Sequence, residues 1–164
     1  MKTKEKWKKV VRYGTEIPGY FVSNHGRIKS VKQRGGGRVS LPWKSFKDGL
    51  VMRLHLTKHG YITVALTFPK DLFEDYEYAT RPHWDTVCSV NLTVHRMVME
   101  TFRPIDKYPP ISKKDWKRTP ASAKQFIRDT AFVDHIDSNK HNNSVSNLRW
   151  VTPKQNNPNR KAAA

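Results

Sequence analysis

The chain has 164 residues, enough for one compact domain or two small modules that share a core. Hydrophobic residues make up 37% of it and there is one cysteine, Cys88, so a modest core is available, while an intramolecular disulfide and a cysteine-built structural zinc site are excluded. The 31 lysines and arginines outweigh 14 aspartates and glutamates, a net charge of +17, well above the roughly 2–8 that solubility asks of a small domain. Such an excess repels itself, and a polyanion, nucleic acid first, relieves it by releasing counterions.

The first stretch, Met1 to Arg12, is cationic with no apolar segment behind it, which does not fit a signal peptide. No apolar run approaches the roughly 18 residues that span a bilayer, so the expected setting is a cytoplasm, with no membrane partner. Charge is uneven: residues 1–50 hold 13 basic and 3 acidic residues, and residues 51–164 hold 18 and 11. Tyr20 to Val31 reads as extended pieces around a Ser23-Asn24-His25-Gly26 turn, with Gly26 free to take positive φ. Gly35-Gly36-Gly37 reads as a flexible basic loop. Around it Arg27, Lys29, Lys32, Arg34 and Arg38 cluster as candidate phosphate contacts. Alternation predicts strands at Leu50-Met52-Leu54-Leu56, Ile62-Val64-Leu66 and Cys88-Val90-Leu92, with a hairpin at Lys58-His59-Gly60. Between them an acidic island (Asp71, Glu74, Asp75, Glu77, Asp85) is expected to face away from DNA. The third strand runs into a helix whose Val94, Met97, Val98 and Phe102 share a face, and Pro104 stops it. His95, beside that face, is expected to be a packed structural histidine. Arg103 to Ala131 is a long basic connection in which a second helix is expected from Thr119-Pro120.

The segment from Phe132 to Asn156 carries the chemistry. Phe132 to Ile136 is a strand candidate, and Ser138 to Ser146 has loop composition, with Asn142 and Asn143 as loop formers. Leu148 to Val151 is a second strand, with Trp150 inward and Arg149 outward toward a phosphate. A helix is expected from Thr152-Pro153, where Thr152 and Gln155 have capping-box spacing. This strand, loop, strand, helix order suits phosphodiester hydrolysis, which needs a base to deprotonate water and a cation to offset developing charge. An imidazole titrates near neutrality, so His135 is the candidate base. Asp134 is a hard oxygen ligand suited to magnesium, and the amide oxygen of Asn156, in the first turn of the last helix, completes the site.

Asp134-His135-Ile136-Asp137, the Asn-rich loop and Asn147-Leu148-Arg149-Trp150-Val151-Thr152 together resemble the HNH endonucleases of the ββα-metal fold, phage homing enzymes above all. Ile17 to Ser30 is similar to the small NUMOD-type DNA-binding motif that accompanies them, and Val94-His95-Arg96 to their Val-His-Arg helix. The resemblance implies a general base at His135, metal ligands at Asp134 and Asn156, and at Asn147 a residue that braces the loop and orients His135. It implies magnesium, with manganese as a substitute, and double-stranded DNA as the partner, touched also by Arg149 and Lys154. Many family members carry a final His where this chain has Asn156. Homing enzymes also often continue into further C-terminal DNA-binding modules, so site recognition is expected from the N-terminal half and the 103–131 insertion.

The expected architecture is α+β, with a small β-rich module at 1–48 followed by a ββα-metal nuclease module at 49–161. The expected activity is metal-dependent cutting or nicking of duplex DNA by a monomer or homodimer, in the host cytoplasm if phage-encoded. The main rival is a non-cutting DNA-binding regulator with a vestigial site. An RNA-binding protein fits less well, because the strands at Leu50 to Leu66 alternate with aliphatic rather than aromatic residues.

Overall fold

A computed structural model of the chain describes residues 4–31, 49–73, 81–84 and 87–157. The glycine loop with Lys32, Arg34 and Arg38 lies outside the described residues, as do Glu74, Asp75, Glu77 and Asp85 of the acidic island.

Two antiparallel sheets and a hairpin surround one central helix. The first sheet has the order β1 (Trp7–Arg12), β2 (Thr15–Ser23), β3 (Ile28–Ser30), β4 (Leu50–Val51). The second has the order β5 (His55–Leu56), β6 (Ile62–Pro69), β8 (Val87–Thr93), β7 (Arg81–Trp84). After β8 comes α1 (Val94–Phe102), then α2 (Lys113–Arg118) and α3 (Ala121–Thr130), and finally β9 (Phe132–His135) pairs antiparallel with β10 (Leu148–Val151).

Helix α1 organises the rest. Val94, Met97, Val98 and Thr101 recur at helical spacing and are all buried. Removing a Val or Met side chain from water contributes about 1.5–3 kcal/mol. The Arg103 N–H donates to the Met99 carbonyl, closing the last turn ahead of Pro104. From β1, the Val11 N–H donates to Thr101 Oγ1, and Arg12 pairs with Glu100, which Arg96 also holds at 2.9 Å. Alternation along β6 points Val64, Leu66 and Phe68 into the same core, and Tyr20 Oη accepts from the Thr67 N–H, tying the two sheets together. Val10, Ile17, Val22 and Ile28 of the first sheet, α1, and Leu148 and Trp150 of β10 belong to one continuous cluster. Trp150 is inward as expected, with its Nε1 donating to the Arg103 carbonyl.

Three expectations change in detail. The alternating Leu50 to Leu56 run is two short strands in different sheets: Leu50–Val51 pairs with β3, while His55–Leu56 starts a hairpin with β6 closed at Thr57 to Tyr61. Met52 and Leu54 pack on the core, and Leu50 and Leu56 are exposed. Thr119 closes α2 instead of opening the next helix: its N–H and Oγ1 both go back to the Asp115 carbonyl, and α3 starts after Pro120. The residue before a proline is pushed out of helical conformation, which separates the two helices here. Lastly, the expected terminal helix is represented among the described residues by one turn at 153–156. Its capping box is formed: the Thr152 N–H donates to Gln155 Oε1 at 2.8 Å, and the Gln155 N–H donates to Thr152 Oγ1 at 3.3 Å.

Candidate active site

Pairing of β9 with β10 sets Asp134 and His135 side by side at the end of a short hairpin, opposite Arg149 and Leu148. Both are nearly buried, at 8% and 5% exposure. The turn after β10 returns the chain, with the Asn156 N–H donating to the Thr152 carbonyl at 3.0 Å. As a result Asp134, His135 and Asn156 line one open cleft of about 750 Å³, together with Tyr61, His95, Arg96 and Lys140.

Each candidate has a definite partner. The Asp134 carboxylate accepts both Nε and Nη2 of Arg149 on its Oδ2, at 3.0 and 2.8 Å. Arg149 is half-exposed, as expected, but it is turned onto the metal-ligand candidate. The imidazole of His135 meets Asn143 through Nε2 and Oδ1 at 3.0 Å. Asn147 fastens the loop from within: its Oδ1 accepts from the Asp137 N–H, and its Nδ2 donates to Asp137 Oδ1 and the Asn142 carbonyl. Its carbonyl accepts from the Ile136 N–H. Donors from Asn142, Asn147 and the Asn139 backbone hold the Asp137 carboxyl below its ordinary value.

Of the DNA-contact candidates among the described residues, Arg27 and Lys29 share the Trp7 ring. Arg27 is held by Glu5, which its guanidinium pushes down to about 2, and it lies over Trp7. The Lys29 ammonium lies 4.8 Å from the Trp7 ring and 5.4 Å from Phe21. Lys154 is exposed beside the capping turn.

Sequence reasoning did not place His95, Tyr61, Lys140 or Asn143 in the site. The His95 ring stands 5.3 Å from His135 and 5.2 Å from Tyr61. Burial first, then His135, Arg96 and Arg12, push its titration down to about 3, so it is neutral throughout the working range. Its Nδ1 is buried and has no hydrogen-bond partner among the described residues. Lys140 donates to the His59 carbonyl and lies over Tyr61, which ties the loop to the β5–β6 hairpin. Only tertiary packing brings these groups together. The one sequence signal was the placement of His95 beside the apolar face of α1.

The donor set fits a hard divalent cation. Asp134 and Asn156, a carboxylate and an amide, both line the open cleft, which leaves room for water and phosphate oxygens. Among the described residues no three His, Cys, Asp or Glu side chains form a metal cluster; the residues of the cleft that could hold a cation are Asp134 and Asn156.

Comparison with known proteins places two segments of the chain beside known families. A family described as HNH endonuclease matches residues 127–157, and one described as NUMOD4 motif matches residues 5–67. An uncharacterized HNH endonuclease of Acanthamoeba polyphaga mimivirus is 64% identical over 25 residues, 15% of this chain and 8% of its own length. A Bacillus subtilis (strain 168) protein, YosQ, assigned as an SPbeta prophage-derived HNH homing endonuclease, is 29% identical over 126 residues, 70% of this chain and 50% of its own. The chain thus spans half or less of these curated relatives. The solved structure of DNA binding and cleavage by the HNH homing endonuclease I-HmuI is similar to 96% of this chain and 59% of its own, with a TM-score of 0.51 and 25% identity. These likenesses support an HNH endonuclease domain at residues 127–157 and a NUMOD4 motif at residues 5–67, the two segments that the family models match.

Proposed function

We propose that this chain is a metal-dependent endonuclease of the homing type that hydrolyses phosphodiesters in duplex DNA. The observation that carries the reading is the convergence of Asp134, His135 and Asn156 on one open cleft. His135 takes a proton from the attacking water. Asp134 and Asn156 hold magnesium, or manganese in its place. The cation supplies positive charge to the scissile phosphate and the departing 3′-oxygen. Asn147 keeps the loop closed around Asp137, so that β9 and β10 present these groups in fixed register.

Lys29 and Lys154 contact phosphates, along with the basic residues Lys32, Arg34 and Arg38 that lie outside the described structure, and the net charge of +17 draws DNA to the chain. Arg27 joins them where DNA competes with Glu5 for its guanidinium. One active site per chain makes a nick the product of a monomer, and a dimer would cut both strands. No helix among the described residues is long and apolar enough to cross a membrane. We place the protein in the cell cytoplasm, the host's if it is phage-encoded.

A specific observation favours a second reading, a DNA-binding regulator that does not cut. Arg149 already supplies positive charge at Asp134 Oδ2, where a cation would act. Conversion of supercoiled plasmid and of phage and host genomic DNA, with magnesium and with chelator, separates the two. Magnesium-dependent nicked or linear product supports the nuclease. DNA binding that persists in chelator, with no product from any DNA in magnesium, supports the regulator.

A further inference from the structure

The turn at Ser23 to Gly26 belongs to the NUMOD4 segment, where a DNA contact is the first expectation, yet it faces inward. Ser23 is fully buried, and its Oγ accepts from the His25 and Arg27 N–H groups. Asn24 is fastened to the segment just before β1: its Oδ1 accepts from the Lys6 N–H and its Nδ2 donates to the Lys4 carbonyl. The outer side of this rigid turn rests on the nuclease loop. The Val145 N–H donates to the Asn24 carbonyl at 2.9 Å, and Gly26, at φ +81°, lies so close that a Cβ there would stand 2.6 Å from Asn143 Cβ and 3.1 Å from its carbonyl oxygen. Asn143 is 4% exposed and is the residue that meets His135.

The orientation of the Asn143 amide follows from its other partner. Its nitrogen lies 3.4 Å from the His141 carbonyl, which can only accept, so the oxygen is the atom turned toward His135. An amide oxygen only accepts, so His135 Nε2 carries the hydrogen and Nδ1 keeps the lone pair that a general base needs. We propose that the Asn24–Gly26 turn, by pressing on Asn143, is a positioning device that fixes the orientation and tautomer of His135. This rests on the reading of His135 as the base. It gives the NUMOD4 segment a role in organising the active site in addition to holding DNA, and it makes Gly26 and Asn143 positioning residues.

Gly26→Ala tests this against Gly14→Ala. Gly14 has nearly the same backbone strain, φ +79°, but nothing within 4 Å of an added Cβ. Nitrogen-15 spectra of the metal-free full chain, at a pH where imidazoles are neutral, should give the wild type and Gly14→Ala a single Nε2–H tautomer at His135. Gly26→Ala should show a mixture. Single-turnover cleavage by Gly26→Ala should slow by about tenfold or more with DNA affinity unchanged, as for a small displacement of a reacting group, while Gly14→Ala cuts at the wild-type rate. If Gly26→Ala does not fold, Asn143→Asp and Asn143→Leu replace it. Asp keeps an acceptor and the Nε2–H tautomer, and Leu loses both. An Nδ1–H tautomer in the wild type overturns the proposal, as does identical behaviour of the two glycine variants or of the two Asn143 variants. Because the spectra do not depend on cleavage, a chain that cuts no DNA would sink the nuclease reading and leave the spectra to decide the positioning.

Discussion

His95 makes the protein sensitive to acid in a window that can be isolated. Unfolded, its imidazole titrates at the ordinary value of 6.5; folded, burial first and then His135, Arg96 and Arg12 bring it down to about 3. Between those values the unfolded chain binds one more proton than the folded one, so stability is full above about pH 6.5 and falls as pH falls. The limiting slope is about 1.4 kcal/mol per pH unit, which amounts to about 2 kcal/mol by pH 5, or roughly 4–8 °C in Tm for a chain of this size. Glu5 and Asp137, whose pKa values are lowered from 4.5 and 3.8, give up their contributions only at lower pH, so the range from 7.5 to 5 reports on His95. His95→Phe keeps a flat ring beside Tyr61 and cannot titrate. Urea unfolding of both proteins across that range should show the wild type losing about 2 kcal/mol more than the variant. Parallel loss in the two would refute the reasoning.

Other changes probe the site. Arg149→Gln withdraws two N–H groups from Asp134 Oδ2, so cation affinity measured by calorimetry on the metal-free chain should rise by up to about fivefold, as expected for a half-exposed pair; unchanged or weaker binding would count against Asp134 as a ligand. Thr152→Ala removes the cap acceptor from the turn that carries Asn156. It should destabilise the chain by about 1 kcal/mol in urea unfolding and weaken manganese binding, and a normal manganese titration would detach Asn156 from the metal. Asn147→Ala opens the bonds to Asp137 and the Asn142 carbonyl; cleavage should fall while DNA affinity, read by anisotropy, holds.

The elements that were legible in the sequence are those in which one pattern settles one environment. Val94, Met97, Val98 and the Pro104 stop delimit α1, and the alternation in β6 and β8 survives because both strands bury one face. The capping residues at Thr152 and Gln155 behave as local chemistry dictates. β1 was not legible: Trp7–Arg12 is rich in charge, only Val10 is fully buried, and its pairing with β2 makes it a strand. α2 is six residues with one buried side chain, Trp116, too little for a periodic signal. Asp134, His135, Asn147 and Asn156 stood out as residue types suited to the chemistry. The contacts of Asn143 with Gly26 and of His95 with His135 join positions far apart in the chain, and no local pattern records them.

The central claim is that His135 is the base of a DNA-cutting site, and single-turnover cleavage in magnesium by His135→Ala, beside the wild type, tests it most directly. Loss of that base should slow cleavage on the order of 10²–10⁴-fold with DNA binding retained. A loss of less than about tenfold would contradict it, because a positioned general base contributes more than that.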